Sequence, residues 1–288
     1  MSQQNTRLGI WLMIATTFVF AMQDGISRHL ASQYNVYLVV MIRYWFFAAF
    51  VVALSARRPG GLRKAIATRH PVLQTVRGAL LALEIVVTVA AFTLLGLTET
   101  HAIFICYPLM IAALSGPILG ETVGWRRWVA ISVGLLGVLI IIRPGYGVFS
   151  PAAIVPLVGA IMFAIYGLLT RYVARNDSSQ ISFFYTGTIG AIVMTVIGVF
   201  HWQPISPENW IWMSILCLTG VFGHWLLIKT YEAAEASAVQ PFAYLQLPFA
   251  AALGMLAFGE TLRMNVAIGA AIVVGAGLFT LWRERQNA

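Results

Sequence analysis

PILGETVGW, residues 117–125, is an apolar run that ends on a carboxylate, and nearly the same phrase, AFGETLRMN, recurs at 257–265. The Gly-Glu-Thr triplets place Glu121 and Glu260 139 positions apart, close to half of the 288 residues. A second pair of stretches repeats in the same order. FAMQDGISRHLA (20–31) matches FAIYGLLTRYVA (163–174) in its Phe-Ala, its Ser/Thr-Arg and its closing Ala. More weakly, TETHAIFICYP (98–108) matches AEASAVQPFAY (234–244), and a proline, Pro108 or Pro248, precedes each Gly-Glu-Thr. Self-similarity at a fixed period marks a fold built from repeated units.

Composition sets the solvent. Hydrophobic residues make up 60% of the chain and charged residues 10%, and the mean hydropathy is +0.83. A water-soluble domain carries about 25% charged residues, so lipid must cover most of this surface. Ten apolar segments are long enough, or nearly so, to cross a bilayer: 8–30, 36–55, 72–95, 100–119, 125–143, 152–171, 180–201, 209–230, 237–258 and 263–282. Strand alternation is absent, which argues against a β-barrel. The longest polar connection, 55–70, leaves no room for a soluble catalytic or nucleic-acid-binding domain. The first segment runs too long for a secretory signal and lacks a cleavage site, so it reads as an uncleaved helix.

With ten spans and a cytoplasmic N-terminus, 14 of the 18 Lys and Arg, Arg77 among them, fall on the cytoplasmic side. Arg28, Arg143 and Arg263 fall outside and Arg43 lies within a span, so the positive-inside rule puts both termini in the cytoplasm. Topology thus accounts for the net charge of +8 without any nucleic acid. The expected fold is an all-α integral membrane protein of ten helices, in two five-helix units, 1–147 and 148–288. Five is odd, so the second unit enters the membrane inverted, the arrangement that lets two halves open a central site to either face. Cys106 and Cys217 are expected as buried free thiols.

The ten spans, the five-plus-five repeat, and YPLMIAALSGPILGET (107–122) with LPFAAALGMLAFGET (247–261) resemble the drug/metabolite transporter superfamily, EamA type. The resemblance extends to its YddG-like exporters of aromatic and neutral amino acids. It implies a small-molecule exporter of a bacterial inner (plasma) membrane, with no cofactor. A monomer is compatible with this architecture.

Charges inside spans are costly, about 2.5–3.5 kcal/mol each on insertion scales, and mark functional candidates. Asp24 either pairs with Arg28 at i+4 or meets a substrate ammonium. Glu84 stands centrally in the third span with no partner at i±3 or i±4, suited to substrate binding or proton coupling, or else to a buried pair with Arg43 or a protonated structural carboxyl. Arg43 either snorkels to the outer interface or binds a carboxylate. His224 and Trp225 in span eight, Tyr107, Tyr166 and Tyr244, and Gln246 complete the set; His101 carries less weight. Prolines near Tyr107 and Tyr244 should free backbone carbonyls for a ligand. Glu121 and Glu260 are expected to cap the links between helices. No metal site is expected.

The leading expectation is therefore an alternating-access exporter of amphipathic metabolites, amino acids above all. Sugar phosphates or nucleotide sugars are the alternative, though only Arg43 lies well inside a span to hold an anion. An intramembrane enzyme is remote: there is no Gly-x-Ser with an opposed His, no paired Asp-rich motif and no His-Glu-x-x-His.

Overall fold

The computed structural model describes residues 5–120, 125–142, 151–234 and 236–287. Glu121 lies outside these residues, so the role expected for it is not placed. Among the described residues every regular element is helical. Among the described residues six helices are long and apolar enough to cross a membrane, and shorter apolar helical stretches lie at Tyr107–Leu119, Trp128–Ile141, Gln246–Phe258 and Met264–Ala276.

The helices start where their sequences supply caps. In α1 (Thr6–Ala31), Asn5 accepts from the Leu8 N–H at 3.0 Å. Asn35 caps α2 (Val36–Ala56) through the Tyr37 N–H at 2.9 Å. The polar connection expected after it holds a single helical turn, α3 (Gly61–Ala65). Pro71 opens α4 (Pro71–Phe104), its missing N–H being one that the first helical turn leaves free anyway.

Within α4, Gly96 sits at φ 80°, ψ 177°, so the helix stops and restarts at Leu97. The restarted piece ends at Phe104, and α5 (Tyr107–Leu119) follows after two residues. The same segmentation recurs later: α10 (Ala236–Ala243), two residues, then α11 (Gln246–Phe258). Both 13-residue helices end on a left-handed glycine, Gly120 at φ 69° and Gly259 at φ 64°. The fourth and ninth expected spans are thus each two helices, broken just ahead of Pro108 and Pro248, where a proline cannot donate to the preceding turn.

The remaining elements are α6 (Trp125–Ile142), α7 (Pro151–Val173), α8 (Ser179–Gly198), α9 (Pro207–Ala233) and α12 (Met264–Asn287). Packing joins α4 to α7, α1 to α9, α2 to α8, and α6 to α12; α5 lies on α7 and α11 on α1. Where α6 crosses α12 the backbones touch: a Cβ on Gly137 would come within 2.7 Å of the Gly269 carbonyl oxygen. Trp11, Trp125, Trp128, Trp210 and Trp212 face outward, as expected for residues at a lipid interface. Cys106 and Cys217 are buried and free.

Candidate functional site

Helix periodicity brings polar side chains from five helices to one interior cavity. Phe20, Gln23 and Asp24 share a face of α1, and Glu84, Thr88 and Val89 share one of α4. Arg43 enters from α2, Phe163 from α7 and His224 from α9. The two helix breaks supply the rest: His101 and Phe104 follow the break at Gly96, and Gln246 opens α11. The cavity measures about 40 Å³, which holds water and no metabolite.

Asp24 Oδ2 accepts from Gln246 Nε2 at 3.1 Å, and His101 Nε2 lies 3.2 Å from the same oxygen without the alignment of a hydrogen bond. Arg28 does not meet Asp24; it pairs with Glu260 instead. Glu84 Oε1 accepts from the Thr88 hydroxyl at 2.6 Å, so Glu84 does have a partner at i+4. Among the described residues no ion pair joins Glu84 to Arg43.

Arg43 does not snorkel. It is 2% exposed, with Nη2 3.0 Å from His224 Nε2. It turns inward because Gly220 makes room: a Cβ there would stand 2.7 Å from Arg43 Nε. A guanidinium has no lone pair, so His224 accepts on Nε2 and keeps its proton on Nδ1. Among the described residues that Nδ1 and Gln23 Oε1 are buried without hydrogen-bond partners, the condition of groups awaiting a ligand or water.

Five of the nine residues singled out by sequence therefore meet at the cavity: Asp24, Arg43, Glu84, His224 and Gln246. Four do not. Trp225 is 39% exposed and stacks on Phe222 on the outer surface, because i+1 on a helix turns away from the face His224 uses. Tyr107 packs its ring against Phe163 at 4.9 Å and Phe104 at 5.2 Å, filling the helix break. Tyr166 receives Arg77 at 3.3 Å, and Tyr244 is buried away from the cavity lining. Gln23 and Thr88 escaped the sequence reading, though Thr88 stands at i+4 to Glu84 and Gln23 adjoins Asp24.

Polar networks close the bundle on both sides of the cavity. On one side the Glu260 carboxylate, in the link after α11, accepts from the Leu97 and Thr98 N–H groups at 2.8 Å each and from the Thr98 hydroxyl. It caps the helix that restarts after Gly96, far away in sequence, rather than the link in which it lies. Arg28 pairs with it and lies 4.2 Å over the Phe258 ring. Burial pushes the Glu260 carboxyl up, but the Thr98 hydroxyl, the two N–H groups and Arg28 outweigh it and hold the group below the ordinary glutamate range.

On the other side Arg77, counted among the cytoplasmic-side cations, is fully buried. It donates to Gln74 Oε1 at 2.9 Å, to Tyr166 and Thr170 at 3.3 Å each, and to the Ser182 carbonyl. Gln74 in turn donates to Asp177 at 3.0 Å, and Asp177 also accepts from the Arg69 N–H and the Thr68 hydroxyl. Glu84 lies two helical turns, about 10 Å, beyond Arg77 on α4. The cavity thus sits between the two closures.

A model of the EamA-like transporter family matches residues 7–143 and again 150–282. The S-adenosylmethionine uptake transporter of Rickettsia prowazekii (strain Madrid E) is 24% identical, the match covering 97% of this chain and 94% of that one. The riboflavin transporter of Vibrio cholerae serotype O1 is 25% identical over 96% of this chain and 94% of its own. The pseudopaline exporter CntI of Pseudomonas aeruginosa is 22% identical, covering 92% and 93%. A solved crystal structure superposes with a TM-score of 0.66 at 17% identity, each chain covering 98% of the other, which speaks to the fold alone. Membrane-length helices and membrane-transporter relatives together make this a multi-pass protein of the inner membrane.

Proposed function

This chain belongs to the EamA-like transporter family, and from that premise we propose that it is a secondary transporter for a small metabolite that joins an amino-acid head to a further positive charge, as S-adenosylmethionine does. The observation that carries this reading is the charge of the cavity. Asp24 and Glu84 face it together with one cation, Arg43; with the histidines neutral and both carboxyls ionised against a cationic ligand, the lining sums to one negative charge. S-adenosylmethionine bears an ammonium, a sulfonium and a carboxylate, and so one net positive charge. Arg43 takes its carboxylate, Asp24 and Glu84 its two cations, and Phe20, Phe104 and Phe163 its adenine ring.

The amino-acid exporters expected from sequence share the head group but lack the second cation, and the named relatives are not amino-acid exporters. A sugar phosphate or nucleotide sugar would leave its anionic charge facing two carboxylates. Riboflavin is the second reading, favoured by the three phenylalanine rings. An enzymatic role has no support in the family or the named relatives.

The machine, in this proposal, is ten spans in two inverted units, 1–147 and 148–288, with both termini cytoplasmic. The double family match supports two units. Two broken helices of identical segmentation support it as well. Partner exchange does the same, since α5 on α7 answers α11 on α1. Small-molecule pockets span roughly 300–1,000 Å³, so this contracted cavity must open by releasing one closure at a time.

The test is counterflow into proteoliposomes preloaded with unlabelled solute. Labelled S-adenosylmethionine should accumulate, whereas neutral amino acids and a nucleotide sugar should not. Accumulation of riboflavin alone would replace the first reading by the second. Accumulation of the nucleotide sugar alone would overturn the charge argument.

A further inference from the structure

Away from the transport cavity, two adjoining pockets lie where α2 ends, α8 begins and α9 passes. The larger measures about 570 Å³ and is lined by Arg58 and Lys64, with Ser178, Gln180 and Ile181 from the start of α8. The smaller, about 140 Å³, is lined by Val51, Leu54, Phe183, Phe184 and Trp225, with Lys229 at its edge. Ser55, Arg58 and Gln180 line both. Among the described residues neither pocket has an acidic side chain in its lining. Arg58 and Lys64 are exposed and, among the described residues, have no ion-pair partner. Lys229 differs: it pairs with Glu232 at 2.6 Å.

We propose that this composite groove binds an anionic phospholipid, its phosphate between Arg58 and Lys64 and an acyl chain along Phe183, Phe184 and Trp225. Charge complementarity selects the occupant. A basic chamber large enough for a headgroup opens directly onto an apolar strip, and only an amphiphile with an anionic head fills both parts. Basic pockets between membrane helices are where such headgroups bind. The same groove explains Trp225, which the transport cavity leaves unused: its exposed ring forms the wall of the acyl-chain channel. The proposal rests on the reading that α2, α8 and α9 cross the bilayer, but not on any particular transported substrate.

The experiment measures quenching of tryptophan fluorescence by phospholipids brominated on the acyl chain, in phosphatidylcholine nanodiscs carrying the wild-type protein. Brominated phosphatidylglycerol should quench at lower mole fraction than brominated phosphatidylcholine, and Trp225→Phe should remove that excess. Arg58→Gln and Lys64→Gln should each weaken the phosphatidylglycerol titration roughly fivefold, the weight of one basic residue at an anionic surface. Both residues are exposed, and an unchanged melting temperature confirms that the variants fold. Equal titrations for the two lipids, or no change in either variant, would overturn the proposal. So would inorganic phosphate that raises the melting temperature as much as short-chain phosphatidylglycerol, since the site would then take a free anion. Counterflow of S-adenosylmethionine is read separately, so failure here leaves the transport reading standing.

Discussion

Removing the Glu260 carboxylate should unlatch one mouth of the bundle. In Glu260→Ala, the Leu97 and Thr98 N–H groups and the Thr98 hydroxyl lose their acceptor, and Arg28 loses its counter-charge. An N-cap contributes about 1 kcal/mol. Leaving Arg28 without its counter-charge adds about 1–2 kcal/mol, because the side chains of the pair are only 21% and 13% exposed and an unpaired, part-buried charge is costly. The sum, about 2–3 kcal/mol, falls on the state closed at this end and favours the open one at least about 30-fold. Thr88 lines the cavity, so a cysteine at Thr88, in a background lacking Cys106 and Cys217, reports opening through an impermeant thiol reagent in proteoliposomes. Labelling should accelerate at least tenfold in Glu260→Ala and in Arg28→Ala, with the double variant far from additive. Gly96→Ala should act alike, since its Cβ would collide with the Glu260 carboxylate at a backbone φ of 80°. The carboxyl titrates below the ordinary glutamate value. Its contribution is therefore full above about pH 4.3 and is lost only as pH falls through the lower folded value, so the wild-type latch should hold across the whole range in which a thiol can be labelled. Unchanged labelling in all three variants would refute the latch.

Three further outcomes follow from the geometry. Arg77→Lys should lower the melting temperature nearly as much as Arg77→Ala, because one ammonium cannot span Gln74, Tyr166, Thr170 and the Ser182 carbonyl. Burial raises the Asp177 carboxyl, but hydrogen bonds from the Arg69 N–H, Gln74 and Thr68 outweigh it and hold it below the ordinary aspartate range. The stability gap between wild type and Asp177→Asn should thus be full at neutral pH and close as pH falls below about 4, read by thermal melts across pH. Gly220→Ala should cost about 1–3 kcal/mol by overpacking. Because it displaces Arg43, it should weaken substrate binding about tenfold while leaving every charge in place.

What could be read from sequence, and what could not, divides on physical grounds. Apolar length and the repeated Gly-Glu-Thr located the helices within a few residues, and the prolines marked both broken ones. Charges inside spans found Asp24, Arg43, Glu84 and His224 because burying a charge is costly enough to require a reason. The aromatic residues misled: Tyr107, Tyr166 and Trp225 are amphipathic, and a ring is equally suited to a core, a cavity wall or a lipid contact. The partners of Arg28 and Glu260 were hidden, since 232 residues separate them and no local spacing encodes that meeting. The surroundings of Arg77 were hidden for a similar reason. Two turns into α4 it resembles an interfacial cation, and only the packing of α7 and α8 surrounds it with acceptors.

The central claim, that this cavity selects its substrate by charge, is tested most directly by one pair of ligands. S-adenosylmethionine and S-adenosylhomocysteine differ by a methyl group and the positive charge on sulfur. Equilibrium binding to the purified protein should favour S-adenosylmethionine by at least about tenfold, roughly 1.4 kcal/mol, and Asp24→Asn or Glu84→Gln should reduce that preference. Equal affinity for the two ligands in the wild-type protein would contradict the account.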